Sequence, residues 1–316
     1  MITFRPMDIR TDAADMARLY GYTAAEPITA ESARDWWTLR DGEIRVTMLA
    51  INEHGQAIGY SDVERETWMS PGRFYVKIVV APEAQHCGLG TRMYNDALQA
   101  ACEQGATQLE SRVREGDEIS IRFAQKRGFR IERRFFESTL DLETFDEHRF
   151  DDLMRRVHAE GFNFFTLAEA GVTDENKHML YDVNRAASLD DPGNNNGTFP
   201  DFYAFSKNVF DASWFRADTQ LLASHSDRWV GLSAIGIYPD DRHAYNAFTG
   251  VLRDYRGHGL AQALKLQTIL MAKKEGMRYI RTHNDSNNAP MLAVNHKLGY
   301  IPEPGVYKLI CDLKDG

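Results

Sequence analysis

Two glycine-rich turns carry the residues whose types and spacing point most directly to chemistry. In the first, Ile78-Val79-Val80 leads through Ala81-Pro82-Glu83-Ala84 into Gln85-His86-Cys87-Gly88-Leu89-Gly90-Thr91. In the second, Thr249-Gly250-Val251 leads through Leu252-Arg253-Asp254-Tyr255 into Arg256-Gly257-His258-Gly259-Leu260-Ala261. Met93, Ala97, Leu98 and Ala101 then recur at helical spacing before Gly105, as Leu264 and Met271 do before Gly276. Each turn therefore joins the end of a strand to the start of a helix. Such a start offers four unpaired N–H groups and about half a positive charge, which suits a phosphate or diphosphate. Glycine lets an oxyanion reach those amides, where a side chain at Gly88 or Gly90 would intervene. Arg256 adds a fixed cation, so on charge alone the second turn is the better diphosphate binder. Neither turn has the lysine-bearing nucleotide loop or the dinucleotide fingerprint.

The turns belong to an internal repeat. A constant shift of 171 residues carries Val80 to Val251, Gly88 to Gly259, Gly105 to Gly276, Lys126 to Lys297, Gly128 to Gly299, Phe129 to Tyr300 and Asp141-Leu142 to Asp312-Leu313. An unbroken register of this kind means two copies of one supersecondary plan. Ahead of the first turn, Thr3-Phe4-Arg5 predicts a strand and Thr11 the cap of a helix through Met16, Leu19 and Tyr20. Arg45–Ile51 and Gln56–Val63 predict a hairpin about Glu53-His54-Gly55, with Phe74–Val80 as the next strand. The second copy predicts a strand at Phe162–Leu167, a helix at Thr173–Asn184, and strands near Leu221–Ala223, Trp229–Ile237 and Tyr245–Val251. Phe150, Leu153, Met154 and Val157 predict a short amphipathic helix between the copies. Asp190–Gly197 has the composition of a loop, either a surface connection or a lid.

A strand ending in valine, a Gln/Arg-x-x-Gly-x-Gly/Ala turn, an amphipathic helix, a further strand and a closing Lys-x-Gly-aromatic segment resemble the GNAT acyltransferase superfamily. The resemblance covers residues 74–142 and 245–313, and the tandem arrangement is similar to that of mycothiol-synthase-like transferases. It implies an α/β (α+β) fold of two tandem GNAT-like domains, each a twisted, mixed, mainly antiparallel sheet flanked by helices. The expected boundaries are 1–142 for the N-terminal domain, 143–160 for a linker helix and 161–316 for the C-terminal domain.

The resemblance further implies acetyl-CoA as cofactor. Its pantetheine would lie along Ile78, Val79 and Val80 or along Thr249, Gly250 and Val251. Its pyrophosphate would meet Gln85, His86, Cys87, Gly88, Leu89, Gly90 and Thr91, or Arg256, Gly257, His258, Gly259, Leu260 and Ala261. Asn288 matches the family asparagine that contacts the cofactor, whereas the first copy has Asp117, a carboxylate able to repel phosphates. The C-terminal copy is therefore the expected catalytic domain, and the N-terminal copy either binds the cofactor as well or is degenerate.

The implied reaction is acyl-CoA-dependent N-acyl transfer, in particular N-acetyl transfer, by direct attack of a small-molecule or peptide amine on the thioester. Holding the reactants together contributes roughly 7–11 kcal/mol to such a step. Candidates for handling the amine proton are Glu64, Glu66 and Tyr75 in the first copy and Asp241, His243 and Tyr245 in the second, with Asn295 a further catalytic candidate by its position. Each also reads as an ordinary polar residue of a strand end or helix. The family's acid tyrosine is replaced by Ala124 and by Asn295, which leaves open a binding or scaffold protein without turnover. Trp36 and Trp37 are candidates for a substrate groove or for the core, and Cys87 for a mixed disulfide with coenzyme A or for a tolerated small loop residue.

Bulk properties narrow the partners. Length, 316 residues, suits two domains, and 43% hydrophobic with 26% charged residues marks a folded globular chain. Acidic residues outnumber basic ones by 46 to 37, for a net charge of -9, which disfavours nucleic acid. Cys87, Cys102 and Cys311 form neither a disulfide framework nor a metal cluster, and no metal is expected. The absence of a long apolar run, and of signal-peptide character in Met1–Asp8, leads to the expectation of a cytoplasmic protein without a membrane partner.

Overall fold

The computed structural model describes residues 1–24, 27–39, 42–66, 69–194 and 197–313. The chain runs β1 (Thr3–Pro6), α1 (Ile9–Gly21), α2 (Ala30–Leu39), β2 (Gly42–Ile51), β3 (Ala57–Glu66), β4 (Arg73–Val80), α3 (Leu89–Glu103), β5 (Gln108–Arg114), α4 (Glu118–Gln125) and β6 (Arg130–Asp141). The second copy follows with α5 (Asp151–Ala159), β7 (Phe162–Thr166), α6 (Leu167–Ala170), α7 (Asp174–Leu189), α8 (Phe202–Val209), β8 (Gln220–His225) and β9 (Arg228–Tyr238). It ends with β10 (His243–Val251), α9 (Leu260–Lys274), β11 (Tyr279–Asp285), α10 (Ala289–Leu298), β12 (Ile301–Pro302) and β13 (Val306–Asp312). Among the described residues no helix is long and apolar enough to cross a membrane.

Two compact units result, one of Met1–Arg133 with the segment from Val306 onward, the other of Arg134–Gly305. Strand order is β1-β2-β3-β4-β5-β13 in the first and β7-β8-β9-β10-β11-β6 in the second, where β12 also pairs with β6. Only β4·β5 and β10·β11 are parallel among these pairs. This division differs from the boundaries 1–142, 143–160 and 161–316 expected from the repeat. β6 pairs Phe135–Asp141 with β11, and β13 pairs Val306–Asp312 with β5. These two strands are the same element of the repeat, so each copy completes its sheet with the other's last strand. The exchange leaves the sequence pattern unchanged, because equivalent strands present equivalent edges. Within 143–160 the chain forms the helix α5, whose Leu153 and Val157 are buried in the core of the second unit.

In the first unit, α3 buries Leu89, Met93, Tyr94, Ala97 and Ala101, most of them at four-residue spacing, which keeps them on one helical face. Gly59 of β3 lets that helix approach: a Cβ there would lie 2.7 Å from Val79 O and 3.2 Å from Met93 Sδ. In α1 the cap is Asp8 rather than Thr11, for Asp8 Oδ1 accepts from Arg10 N at 3.1 Å. Thr11 falls inside the first turn. α7 is capped by Thr173 as expected but continues to Leu189, which brings Ala187 onto β10.

Candidate functional site

In the first unit β4 and β5 pair only from Arg73 to Tyr75, opposite Gln108 to Glu110. Beyond that point, among the described residues, the ladder of β4 continues with β3 and not with β5, and the side once next to β5 faces a cavity of about 800 Å³. Val76, Lys77, Ile78 and Val80 line it, while Val79 points into the core at 2% exposure. At the far end of β4, Gln85 Nε2 donates to Val80 O at 3.1 Å and ties the glycine turn back to the strand. Gly88 adopts φ +85°, and a Cβ there would meet nothing within 4 Å. Gln85, His86, Gly88, Gly90 and Thr91 all border the cavity; Cys87 is exposed and donates to Ala84 O, and Leu89 turns inward to the core. An open glycine turn at a helix start beside an unpaired strand edge can hold a diphosphate and an extended amide chain together.

The opposite end of the cavity is built by β3. Its alternation puts Tyr60, Asp62, Glu64 and Glu66 on one face, and all four line the cavity with Tyr75, Trp36 and Trp37. Asp62 is 2% exposed; it accepts from Thr47 Oγ1 at 2.6 Å and from Arg45 Nη2 at 3.3 Å. Glu64 is 4% exposed, with Arg45 Nη2 at 3.5 Å and Tyr75 directly across the ladder. Tyr75 in turn faces Glu110, which sits within 3.1 Å of Lys308 Nζ. Lys308 and the cavity-lining Val306 come from β13, so the end of the chain helps to build this site. Tyr20 and Trp36 meet edge to face, and Lys77 Nζ lies 4.1 Å above the Tyr20 ring.

The second turn has the same backbone and different surroundings. Gly259 has φ +82°, yet a Cβ there would stand 2.7 Å from Leu153 of α5. At Gly250 it would stand 2.5 Å from Ala187 of α7. Arg256 repeats the bond of Gln85, Nε to Val251 O at 3.0 Å, but its Nη2 donates to Asp190 at 3.1 Å. Arg253 binds the same carboxylate, and that guanidinium, followed by Arg256, holds Asp190 below its ordinary value. His258 is met by Glu160 at 2.6 Å. The cation that favoured this turn is therefore neutralised from within the unit. Asn288 caps α10 through Met291 N and gives its amide to Asp191 at 3.1 Å. Asp117, expected to repel phosphates, likewise caps α4 by accepting from Ser120 N at 3.0 Å, where a carboxylate suits the helix dipole.

Within the second unit, Thr249 Oγ1 is bonded to Asn246 at 3.0 Å and Ser233 at 2.9 Å. Lys265, the counterpart of Tyr94, is 1% exposed; its Nζ reaches Asn246 Oδ1 at 2.6 Å, and burial lowers its pKa to about 7. Of this copy's catalytic candidates, Asp241 Oδ2 and His243 Nδ1 come within 3.9 Å of each other, while Tyr245 and Asn295 are bonded to other residues. Asp241 is exposed, His243 stacks on Tyr238 at 4.8 Å, Tyr245 bonds to His283 at 2.8 Å, and Asn295 is buried against Asn284 at 2.7 Å. Leu260 is buried at 1% exposure, and Ala261 packs against the same core. Asn195 and Asn196, part of the possible lid, lie outside the described residues.

Sequence reasoning overlooked Tyr60, Asp62, Glu110 and Lys308. The every-second-residue run Tyr60–Glu66 was a usable signal, because polar residues in step with the buried face of a strand need a structural reason. Nothing local marks Lys308, which reaches the site only through strand exchange.

One family model, described as "Acetyltransferase (GNAT) family", matches residues 11–129 and again residues 189–300. A mycothiol acetyltransferase of Saccharomonospora viridis is 30% identical over 96 residues, 28% of this chain and 31% of the relative. The aligned part thus spans less than a third of that protein. A GCN5-related N-acetyltransferase from Sphaerobacter thermophilus superposes with a TM-score of 0.67 at 18% identity, over 100% of this chain and 96% of that one. A tandem GNAT protein from the clavulanic acid biosynthesis pathway gives a TM-score of 0.63 at 17% identity, over 100% of both chains. At these identities the two structures speak for the fold alone. With the model matched twice and the order of strand, glycine turn and helix present in both units, the chain belongs to the acetyltransferase (GNAT) family as a tandem member.

Proposed function

We propose that the protein is an acyl-CoA-dependent N-acetyltransferase that works in the cavity of its first unit, with a second unit that binds no coenzyme. The observation that carries this reading is the contrast between the turns: space stands above Gly88, and Leu153 stands above Gly259. It reverses the preference for the C-terminal copy that Arg256 and Asn288 suggested.

The residues of the first unit fit the coenzyme. The edge of β4 that β5 leaves after Tyr75 offers N–H and C=O groups to an extended pantetheine, and the turn at Gly88–Thr91 offers N–H groups to the diphosphate. Acyl-CoA supplies the acyl group as an activated thioester. N–H groups on the free edge can stabilise oxyanion charge on a carbonyl placed beside them.

An amine of lysine type is protonated at pH 7, and releasing its proton costs roughly 4.6 kcal/mol. Glu64 is the carboxylate we assign to receive it. Asp62 holds Thr47 as well as Arg45, and Glu66 lies at the strand end, whereas Glu64, whose contact with Arg45 is 3.5 Å, stands opposite Tyr75, the last β4 residue paired with β5. Ala124 lines the cavity where the family has its acid tyrosine, so the thiolate, with a pKa near 8.5, leaves without an acid at that position.

Calorimetric titration with coenzyme A, beside thiol release from acetyl-CoA over a panel of amines, tests the proposal. One coenzyme per chain with amine-dependent release is expected. No binding, or two equivalent sites, overturns it, and binding without release to any amine supports the scaffold reading.

A further inference from the structure

Arg127 stands at the rim of the cavity in the first unit, just beyond α4, and its guanidinium lies 3.4 Å from the Phe123 ring centroid and 5.1 Å from that of Tyr94. Nη2 donates to Thr91 Oγ1 at 2.8 Å and Nη1 to Phe123 O at 2.9 Å. A guanidinium has five N–H donors, so three are left. Among the described residues none of its partners is a carboxylate. That is unusual for a half-buried cation, whose desolvation is ordinarily offset by an anion. Burial accordingly lowers its pKa, with only Tyr94 opposing.

Its direction matters as much as its charge. Thr91 lies in the first turn of α3, directly after Gly88 and Gly90, so Arg127 is aimed at the start of the helix whose N–H groups face the cavity. Phe123 supports one face of the guanidinium plane, which lowers the entropy lost on meeting a ligand. The repeat does not copy this device: the residue at the equivalent position is Leu298, buried at 2% exposure. In the second unit the arginines beside the turn are instead held by Asp190.

We propose that Arg127 is a phosphate anchor that selects coenzyme A at the first turn, with a phosphoryl group of the coenzyme supplying the anion its surroundings lack. The inference rests on the cofactor site proposed above. Two phosphates of one ligand can answer to it, the diphosphate and the ribose 3′-phosphate, and they are separable by experiment.

Coenzyme A and dephospho-coenzyme A are titrated calorimetrically into the wild-type protein, Arg127→Gln and Arg127→Lys, with melting curves as a folding control. Arg127→Gln is expected to weaken coenzyme A at least tenfold, and Arg127→Lys to recover part of the loss without the bidentate geometry. If the 3′-phosphate is the partner, Arg127→Gln binds both ligands equally while the wild type prefers coenzyme A; if the diphosphate is, both ligands weaken in parallel. Should Arg127→Gln misfold, Arg127→Met takes its place, and the folded neutral variant should show a flatter salt dependence of affinity than the wild type, since it lacks an arginine–phosphate contact that salt screens. Folded variants that bind both ligands as the wild type does overturn the inference. A wild-type protein that binds neither ligand overturns the cofactor site itself.

Discussion

Asp190 binds Arg256 through a 3.1 Å contact between its Oδ2 and the Nη2 of the arginine, so the most conspicuous cation beside a glycine turn is met by a carboxylate of its own unit. The turn with the weaker sequence signature, around Gly88, is the one left open.

Changing the charge at the two turns should therefore have unequal consequences. Gly88→Asp is expected to abolish measurable coenzyme A binding, while Gly88→Asn, with comparable backbone strain at φ +85° but no charge, retains part of it. Arg256→Ala should leave affinity within about twofold, because its guanidinium belongs to the other turn and is bonded to Asp190. Calorimetry on the three variants decides this, and a large loss in Arg256→Ala would place the coenzyme at the second turn.

Glu64→Gln should fold normally and bind coenzyme A as the wild type does, yet lower kcat/KM by about 10²–10⁴, the usual worth of a general base. The deficit should shrink as pH rises towards the amine pKa, where free base accumulates unaided. A pH-rate profile of both proteins measures it; an equal deficit at every pH is inconsistent with proton transfer to this carboxylate.

Lys265 makes stability depend on pH in a calculable direction. Its folded pKa is lowered to about 7 by burial, below the unfolded value, so the unfolded chain binds the extra proton between about pH 7 and 10.5. Stability should rise with pH across that window, with the cost of burying the ammonium complete below it and on the order of 5 kcal/mol. Lys265→Met should remove the slope and raise stability at neutral pH, since Asn246 Oδ1 keeps its bond from Thr249 Oγ1 at 3.0 Å. Urea titrations at three pH values test this, and a wild-type stability that is flat from pH 7 to 10 would contradict it.

Deleting the chain from Val306 onward should damage the first unit, although the cut lies in the second copy of the repeat. Leu309, Ile310 and Cys311 of β13 are buried, and Lys308 is lost from Glu110. Three such side chains represent on the order of 5 kcal/mol, comparable to the whole stability of a small domain. Coenzyme A binding should disappear, with a melting transition of the second unit retained. Unchanged binding by the shortened chain would exclude a role for β13 in the site.

What the sequence determined by itself was the repeating local plan. Glycines at fixed spacing after Val80 and Val251, and apolar residues at helical period after them, depend only on neighbours a few positions away, so strand, turn and helix were legible twice over. Glu64 and Tyr75 could be named as candidates from their strand positions alone. Tertiary structure decided the rest. Whether Gly88 or Gly259 is open depends on Leu153, Asp190 and Ala187, whose approach arises from packing between distant segments. Whether β6 or β13 closes a given sheet depends on a choice between two strands of one pattern, and local periodicity carries no information about that choice because both offer the same face and the same hydrogen-bonding edge.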